Sequence, residues 1–323
     1  MRAVIADRPG GPEVLRFDPE LPDPEPGTGQ VRIAVEYAAI TFIDTQRRAG
    51  RAPGPAATFP AVLGNGVGGF VERLGPGTDP SWAGARVVST TGGAGGYASL
   101  ALADIADLHR VPEPLDLADA TALLADGRTA LALHDAARVR AEETVVITAA
   151  AGGVGGILVQ LATSAGAVVI ALASPDKLDR ARGHGAPIAI DYREPGWPTD
   201  LRAAAPHGVD VVFDGVGAST TDALFPLVRA GGRYLAHGAA SGTWGAIEPD
   251  RATARGVGVI PLAAIGGGPD DMFAYTERAL DLAAHGTIHA TIGQTFPLGQ
   301  AAEAHAAIEA RTTIGKTLLL PNA

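Results

Sequence analysis

The residues best suited to chemistry lie in Thr148–Ala162, TAAAGGVGGILVQLA. This stretch follows a short apolar, β-branched run, Glu143–Thr148, and opens a longer apolar run of helical character. Strand, glycine turn and helix in that order make a phosphate cradle. Gly152 and Gly153 allow the backbone to turn sharply and approach a pyrophosphate, and Gly155 allows the helix to lie close to the strand. The N–H groups of the first helical turn and the positive end of the helix dipole then face the anion. The bland alternative is a glycine turn without a ligand; the order of elements around it favours the cradle.

The next strand selects between dinucleotides. NAD sites place an Asp or Glu about 20 residues on, for the ribose hydroxyls. Here the strand ends Leu172-Ala173-Ser174-Pro175, with no carboxylate. A carboxylate would repel a 2′-phosphate, whereas the Ser174 hydroxyl can donate to it. Lys177 and Arg180 follow, and Tyr192 adds a hydroxyl after the third strand. Either base alone could be a solvated helix face. The missing acid together with the bases predicts NADPH.

The elements that must hold these residues follow from periodicity. From about Ala120, Leu117–Ala137 reads as a helix and Glu143–Thr148 as a buried strand. Helix Gly153–Ala165, strand Ala167–Leu172, helix Asp176–Arg182 and strands Ile188–Asp191 and Val209–Asp214 follow. Helix Thr220–Val228 and strand Gly232–His237 complete the alternation, which indicates βαβ units and a parallel sheet. The first 120 or so residues are β-rich, with runs such as Arg2–Ala6, Gln30–Ala38 and Gly69–Arg73. Dense Gly and Pro punctuation (Pro22–Gly29, Pro53–Pro55, Gly75–Pro80) suggests an irregular, barrel-like domain. The tail, Asp270–Ala323, carries two helices and a terminal strand, Thr317–Leu320.

Composition removes several classes. A net charge of −10 disfavours nucleic acid as a partner. No cysteine exists, so disulfides, thiolate zinc sites and cysteine nucleophiles are impossible. No apolar run approaches the roughly 20 residues of a membrane span. The opening MRAVIADRPG has no apolar h-region, and a soluble cytoplasmic protein is expected. There is no G-x-S-x-G elbow, and Ser219 reads as a helix-start residue. His285 and His289 have ligand-like spacing, but Gly286 between them reads as a helix end and no third ligand is evident.

AAAGGVG with Gln160, then Ser174, Lys177 and Tyr192, resemble the cofactor site of the zinc-free, zeta-crystallin-like quinone oxidoreductases, a branch of the medium-chain dehydrogenase/reductases. The opening MRAVIADRPGGPEVL, FDGVG at Phe213–Gly217, GAASG at Gly238–Gly242 and AHAAIEARTTIGKTLLLP at Ala304–Pro321 are similar too, so the resemblance spans nearly the whole chain. It implies an α/β fold in which a GroES-like β-rich catalytic domain, residues 1–120 with 263–323 returning to it, flanks a Rossmann NADPH-binding domain, residues 121–262. It implies that Phe42, Thr129, Gly152, Gly153, Val154, Ser174, Lys177, Tyr192, Gly217, Gly238, Ser241 and Arg311 bind the cofactor. It also implies a homodimer that pairs strands near Gly256–Leu262. Thr129 could instead bond back to its own helix, and Arg311 could be a surface arginine.

Two departures from the family bear on the substrate. The Gly-His-Glu signature of the zinc alcohol dehydrogenases reads Gly64-Asn65-Gly66 here, so no metal is expected. The stretch Ala39–Gly54 reads as a substrate loop that retains Phe42, Ile43, Asp44 and Thr45. Thr41 stands where the family has Asn; Gln46 and Ala52 stand at or near two tyrosines. Thr41, Gln46 and Thr129 are the residues expected to position substrate and nicotinamide. Asp44 is expected to accept hydrogen bonds from backbone. Arg47, Arg48 and Arg51 are either solvated or meet an acidic substrate, a phosphopantetheine or a carrier protein. The expected activity is hydride transfer from NADPH to a quinone or conjugated carbonyl acceptor, a small-molecule quinone or enone. The alternatives are an enoyl reductase of secondary metabolism and a structural protein that holds NADPH.

Overall fold

The computed structural model describes residues 1–52 and 58–323. The turn signal at Pro53–Pro55 and the end of the stretch Ala39–Gly54 lie outside the described residues. The chain forms two compact units, one of Met1–Ala125, Leu280–Ala284 and Ala290–Ala323, the other of Asp126–Ala279 and His285–His289. The sequence reading divides the chain after residues 120 and 262. The observed divisions after 125 and 279 fall inside the helices Leu117–Ala137 and Pro269–Ala284, where the helical pattern runs on unbroken.

The second unit is a six-stranded sheet. In chain order its strands are Thr144–Thr148, Val168–Ala173, Ile188–Asp191, Val209–Asp214, Val228–Ala236 and Gly258–Ile260. Every neighbouring pair is parallel, and the spatial order is 3-2-1-4-5-6. That is the doubly wound dinucleotide-binding order, with its switch point between the first and fourth strands. The central strands are continuous apolar runs because helices cover both faces; TVVIT and VDVVFD are buried almost throughout.

The helix expected over Thr220–Val228 stops early. Helix Ser219–Leu224 passes into a 3-10 turn at Phe225–Leu227, and the strand already begins at Val228. Pro226 lacks the N–H that would continue the helix. Likewise, Pro175–Lys177 is a 3-10 turn ahead of helix Leu178–Gly183. Helices Trp197–Ala204 and Pro249–Arg255 escaped the sequence reading; both are short and have Pro at their start.

The first unit is built on Gln30–Ile40, an 11-residue strand at the heart of a seven-stranded sheet. It pairs antiparallel with Gly66–Leu74, Leu100–Asp104 and the chain's last strand, Lys316–Leu320. The core beneath includes Val31, Ile33, Val35, Val67, Val87, Tyr97 and Leu319. Sequence reading missed the strands Arg86–Thr90, Leu100–Asp104 and Ile292–Pro297, which are only five or six residues long. Among the described residues no helix is long and apolar enough to cross a membrane.

The glycine turn shows why a side chain is excluded. A Cβ on Gly155 would collide with the Ala149 carbonyl oxygen, the point where helix and strand meet. Gly155→Ala is expected to destabilise the cofactor-free protein by about 1–3 kcal/mol through overpacking. Gly183→Ala, which meets nothing within 4 Å, is expected to be neutral or slightly stabilising. Urea unfolding of the two variants checks this; equal midpoints would contradict it.

Candidate active site

In the second unit the switch point is held by one carboxylate. Asp214, fully buried at the end of the fourth strand, accepts five hydrogen bonds. Thr148 Oγ1 (2.9 Å) and the N–H groups of Val216 (3.0 Å) and Gly217 (3.1 Å) donate to Oδ1. The hydroxyls of Thr221 and Tyr234 donate to Oδ2, each at 2.6 Å. Burial pushes this carboxyl's pKa up, but the donors outweigh it and hold the group below the usual carboxylate range. Thr148 Oγ1 also accepts the Gly215 N–H at 2.8 Å, which fastens the first strand to the fourth.

The expected cradle lies beside this hub. Gly152 is the N-cap of helix Gly153–Ser164 in extended conformation, and no side chain caps the helix. Gly152, Gly153 and Val154 are half-buried, whereas Gly155 and Gly156 are buried. Gly217 has a φ of +76°, and a Cβ there would lie 2.6 Å from Thr243 O. Gly238 approaches Gly215 equally closely: its Cβ would lie 2.7 Å from Gly215 O. The Ala240 and Ser241 N–H groups donate to Gly215 O (3.1 Å) and Val216 O (3.0 Å). Gly217, Gly238 and Ser241 are thereby brought together. Sequence reading missed His237, whose Nε2 is buried beside Gly215 without a hydrogen-bond partner among the described residues and whose pKa burial lowers to about 4.

A second group forms at the ends of the second and third strands. Ser174 is buried, and the Tyr192 N–H donates to Ala173 O at 3.3 Å. The Ser174 hydroxyl also bonds to Asp176, and with it Lys177 and Arg193 hold that carboxyl below its ordinary range. Burial lowers the Lys177 pKa, and the nearby Arg193 adds to this. The structure thus brings Ser174, Lys177 and Tyr192 together and adds Arg193 and the exposed Asp176. A sequence scan for an acid at the strand's end stops short of Asp176, two residues later. Thr129 is half-buried in the same unit, on helix Leu117–Ala137.

In the first unit, most of the stretch read as a loop is a helix, Phe42–Arg48. Thr41 is its N-cap: its N–H (2.8 Å) and hydroxyl (2.7 Å) both donate to Asp44 Oδ2. This reciprocal cap replaces a loop because Thr and Asp stand three apart. Phe42 is 43% exposed. Gln46 is half-buried and donates to Thr45 Oγ1 at 3.2 Å. Of the arginines only Arg51 is exposed. Arg47 donates to Gly93 O at 3.1 Å, and Arg48 is fully buried, so Arg48 is neither solvated nor open to a substrate. Arg311 is exposed just past helix Ala301–Glu309, with φ +59°.

Arg48 is held by a chain of polar groups. It donates to Gly10 O (3.1 Å), Glu309 Oε1 (2.6 Å) and His305 Nδ1 (3.1 Å). A guanidinium can only donate, so His305 Nδ1 accepts and Nε2 carries the proton, donated to Tyr97 Oη at 2.9 Å. Burial, with Arg48 adding to it, lowers the His305 pKa to about 3. The Tyr97 ring in turn lies where a Cβ on Gly64, at φ +86°, would fall. Asn65, in the zinc-signature stretch, accepts the N–H groups of Gly93 (2.6 Å) and Thr91 (3.2 Å) through Oδ1. Among the described residues no three His, Asp or Glu side chains converge as metal ligands, so the donor set does not fit a zinc ion.

His305 gives a pH signature. Its folded pKa lies below the unfolded value of about 6.5, so its contribution to stability is complete above that value. As pH falls from 6.5 toward 3 the unfolded state takes a proton that the folded state refuses. Stability then drops by up to about 1.4 kcal/mol per pH unit. The amide introduced by His305→Gln can accept from Arg48 and donate to Tyr97 without titrating. Denaturant titrations at pH 7, 5.5 and 4.5 should show a shallower acid loss in the variant; parallel curves would contradict the assignment.

Comparison with known proteins agrees with this geometry. A family model described as alcohol dehydrogenase GroES-like domain matches residues 27–113, and one described as zinc-binding dehydrogenase matches 184–319. A 2-haloacrylate reductase from a Burkholderia species is 33% identical, covering 99% of this chain and 99% of the relative. A quinone oxidoreductase from Pseudomonas aeruginosa is also 33% identical, with 97% of each covered. A mycobacterial protein solved in complex with NADPH superposes with a TM-score of 0.90 at 34% identity, over 99% of this chain and 100% of that one. With a doubly wound sheet behind a glycine turn, a GroES-like unit and relatives alike over their full length, the chain belongs to the quinone oxidoreductase branch of the medium-chain dehydrogenase/reductases.

Proposed function

We propose that the protein is an NADPH-dependent reductase of a quinone or conjugated carbonyl acceptor, acting without zinc. The observation that carries the cofactor is the group at the ends of the second and third strands: Ser174, Lys177, Tyr192 and Arg193, with two cations in place of a strand-end acid. The adjoining cradle fits a dinucleotide, since helix Gly153–Ser164 has no side-chain cap and its first turn is partly open. Gly152, Gly153 and Val154 would hold the pyrophosphate, and Gly217, Gly238 and Ser241 the nicotinamide half. Thr129, Phe42 and Arg311 are assigned to the cofactor through resemblance alone.

Bound NADPH supplies a hydride. The chain's own part is orientation, exclusion of water and control of a proton. Thr41 and Gln46 are the residues proposed to position the acceptor. Gln46 and Ala52 remove two aromatic walls that would clamp a flat ring, which favours a bulkier conjugated carbonyl over a small quinone. One relative is named a 2-haloacrylate reductase, and an acrylate is a conjugated acceptor, though a small one. A homodimer is proposed through strand Gly258–Ile260, which is the last strand of its sheet and leaves Val259 exposed. A cytoplasmic location is part of the same reading.

NADPH should bind at least about ten-fold more tightly than NADH, since a charge-assisted phosphate contact contributes about 1.5–3 kcal/mol. Lys177→Ala and Arg193→Ala should each weaken NADPH and leave NADH nearly unchanged. Asp176→Ala should widen the preference. Fluorescence titration of both cofactors is the measurement, and equal dissociation constants in the wild type would sink the assignment.

A further inference from the structure

Basic residues in this chain are almost all arginine. Of 25 lysines and arginines only two are lysines, Lys177 and Lys316. Lys316 is 4% exposed. Lys177 is half-buried, in the group at the ends of the second and third strands. That group opens to solvent: Asp176 and Arg193, both near enough to Lys177 to act on its charge, are exposed, and Tyr192 is half-buried. The pairing of Ala173 with Asp191 sets the group in place, since Ser174 to Lys177 follow one strand and Tyr192 and Arg193 the other. The amine of Met1 is held in an ion pair with Asp23 at 2.7 Å. Lys177 is then the lysine that a reagent can reach, and it sits where a phosphate is to be bound.

The two cations of the group differ in chemistry. A guanidinium stays charged, whereas an ammonium that loses its proton becomes a nucleophile. Burial lowers the Lys177 pKa and Arg193 adds to this, against the opposing pull of Asp176. A larger share of this amine is therefore uncharged near neutral pH than in a solvated lysine. We propose that Lys177 is an acylation site: an acyl phosphate docks its phosphate on Arg193, in the place of the 2′-phosphate, and transfers its acyl group to the Lys177 amine, which weakens NADPH binding and spares NADH. The inference rests on the cofactor reading above and adds a regulation of the same site.

The donor's phosphate matches the 2′-phosphate in charge and shape, so a cation that holds one holds the other. Docking sets the acyl carbon beside the amine, and proximity replaces a bimolecular encounter. The uncharged Lys177 Nζ attacks the acyl carbon. A C–N bond forms, and the bond from that carbon to the phosphate oxygen breaks. Phosphate leaves with the electron pair, and the proton shed by nitrogen passes to water; nothing is oxidised or reduced. The product is a neutral amide. With Asp176 counted against Arg193, the site then has no net positive charge to offer a 2′-phosphate. NADH, which lacks that phosphate, loses nothing comparable.

The probe is acetyl phosphate on the cofactor-free chain, with peptide mass spectrometry to read each amine. Lys177 should be acetylated about ten-fold faster than the amine of Nα-acetyl-lysine amide, in line with a docked donor. Inorganic phosphate and NADPH should each slow the reaction, and Arg193→Ala should remove the advantage. With 4-nitrophenyl acetate, which carries no phosphate, inorganic phosphate should have no effect. Once Lys177 is acetylated, fluorescence titration should show NADPH bound about ten-fold or more less tightly and NADH nearly unchanged. Lys177→Arg, which keeps the charge and lacks the amine, should give the same NADPH constant before and after treatment. Labelling of Lys177 no faster than of the model amine, or no competition by phosphate, overturns the proposal; so does unchanged NADPH affinity after full acetylation. Equal affinity of the untreated protein for NADPH and NADH would instead overturn the cofactor reading, and the phosphate competition would still decide whether a docked donor acylates Lys177.

Discussion

The second unit depends on a buried negative charge that, among the described residues, forms no ion pair. The desolvation of a carboxylate costs several kcal/mol, and Asp214 offsets it with five neutral donors drawn from four places. Thr148 comes from the first strand, Thr221 from the helix after the fourth, Tyr234 from the fifth, and two N–H groups from the turn that follows Asp214 itself. Hydrogen bonds to a charged group contribute about 1.5–3 kcal/mol each, so the set is favourable only while it is complete. Its geometric consequence is that the strand ends on either side of the switch point cannot drift apart. The glycine-rich segments around Gly217 and Gly238 then have a fixed floor on which to fold.

That arrangement explains which parts of the site were legible in sequence. Gly152, Gly153 and Gly155 announce themselves because a backbone that must turn and pack closely tolerates no side chain. Ser174 and Lys177 stand out because an expected acid is missing. Asp214 reads as the end of a buried strand, and nothing local reveals that residues 148, 221 and 234 converge on it. Arg193 and Asp176 were missed for the same reason. Their meeting depends on the pairing of Ala173 with Asp191, a contact between strands. Long helices and continuous apolar strands were found near their true ends. Short strands such as Leu100–Asp104 were not, since their identity comes from the partner strand rather than from their own pattern.

The first unit shows how a misread local motif changes a chemical argument. Thr41 and Asp44 look like substrate-loop residues in sequence, yet three-residue spacing of a hydroxyl and a carboxylate is also a helix start. The helix they open turns Arg48 inward, where His305, Glu309 and Gly10 hold it. An arginine that sequence could place only on the surface or against a substrate is therefore part of the core. Asn65 has a similar history. At the position of a metal ligand in zinc-dependent relatives, it gives its oxygen to the backbone of Thr91 and Gly93. Arg47 binds the same turn through Gly93 O.

Two buried acids in this chain have opposite fates, and the donors around them decide which. Asp214 and Asp44 are equally hidden from water. Asp214 is saturated on both oxygens and holds its charge; Asp44 is served on one oxygen only, and burial raises its pKa. Cations near Asp44 do not reverse this, because charge acting from a distance does not supply the missing donor at Oδ1. The first acid is built to stay fixed, as a structural anchor must. The second is, among the described residues, left one hydrogen bond short, and a buried carboxyl so placed is the harder of the two to keep ionised.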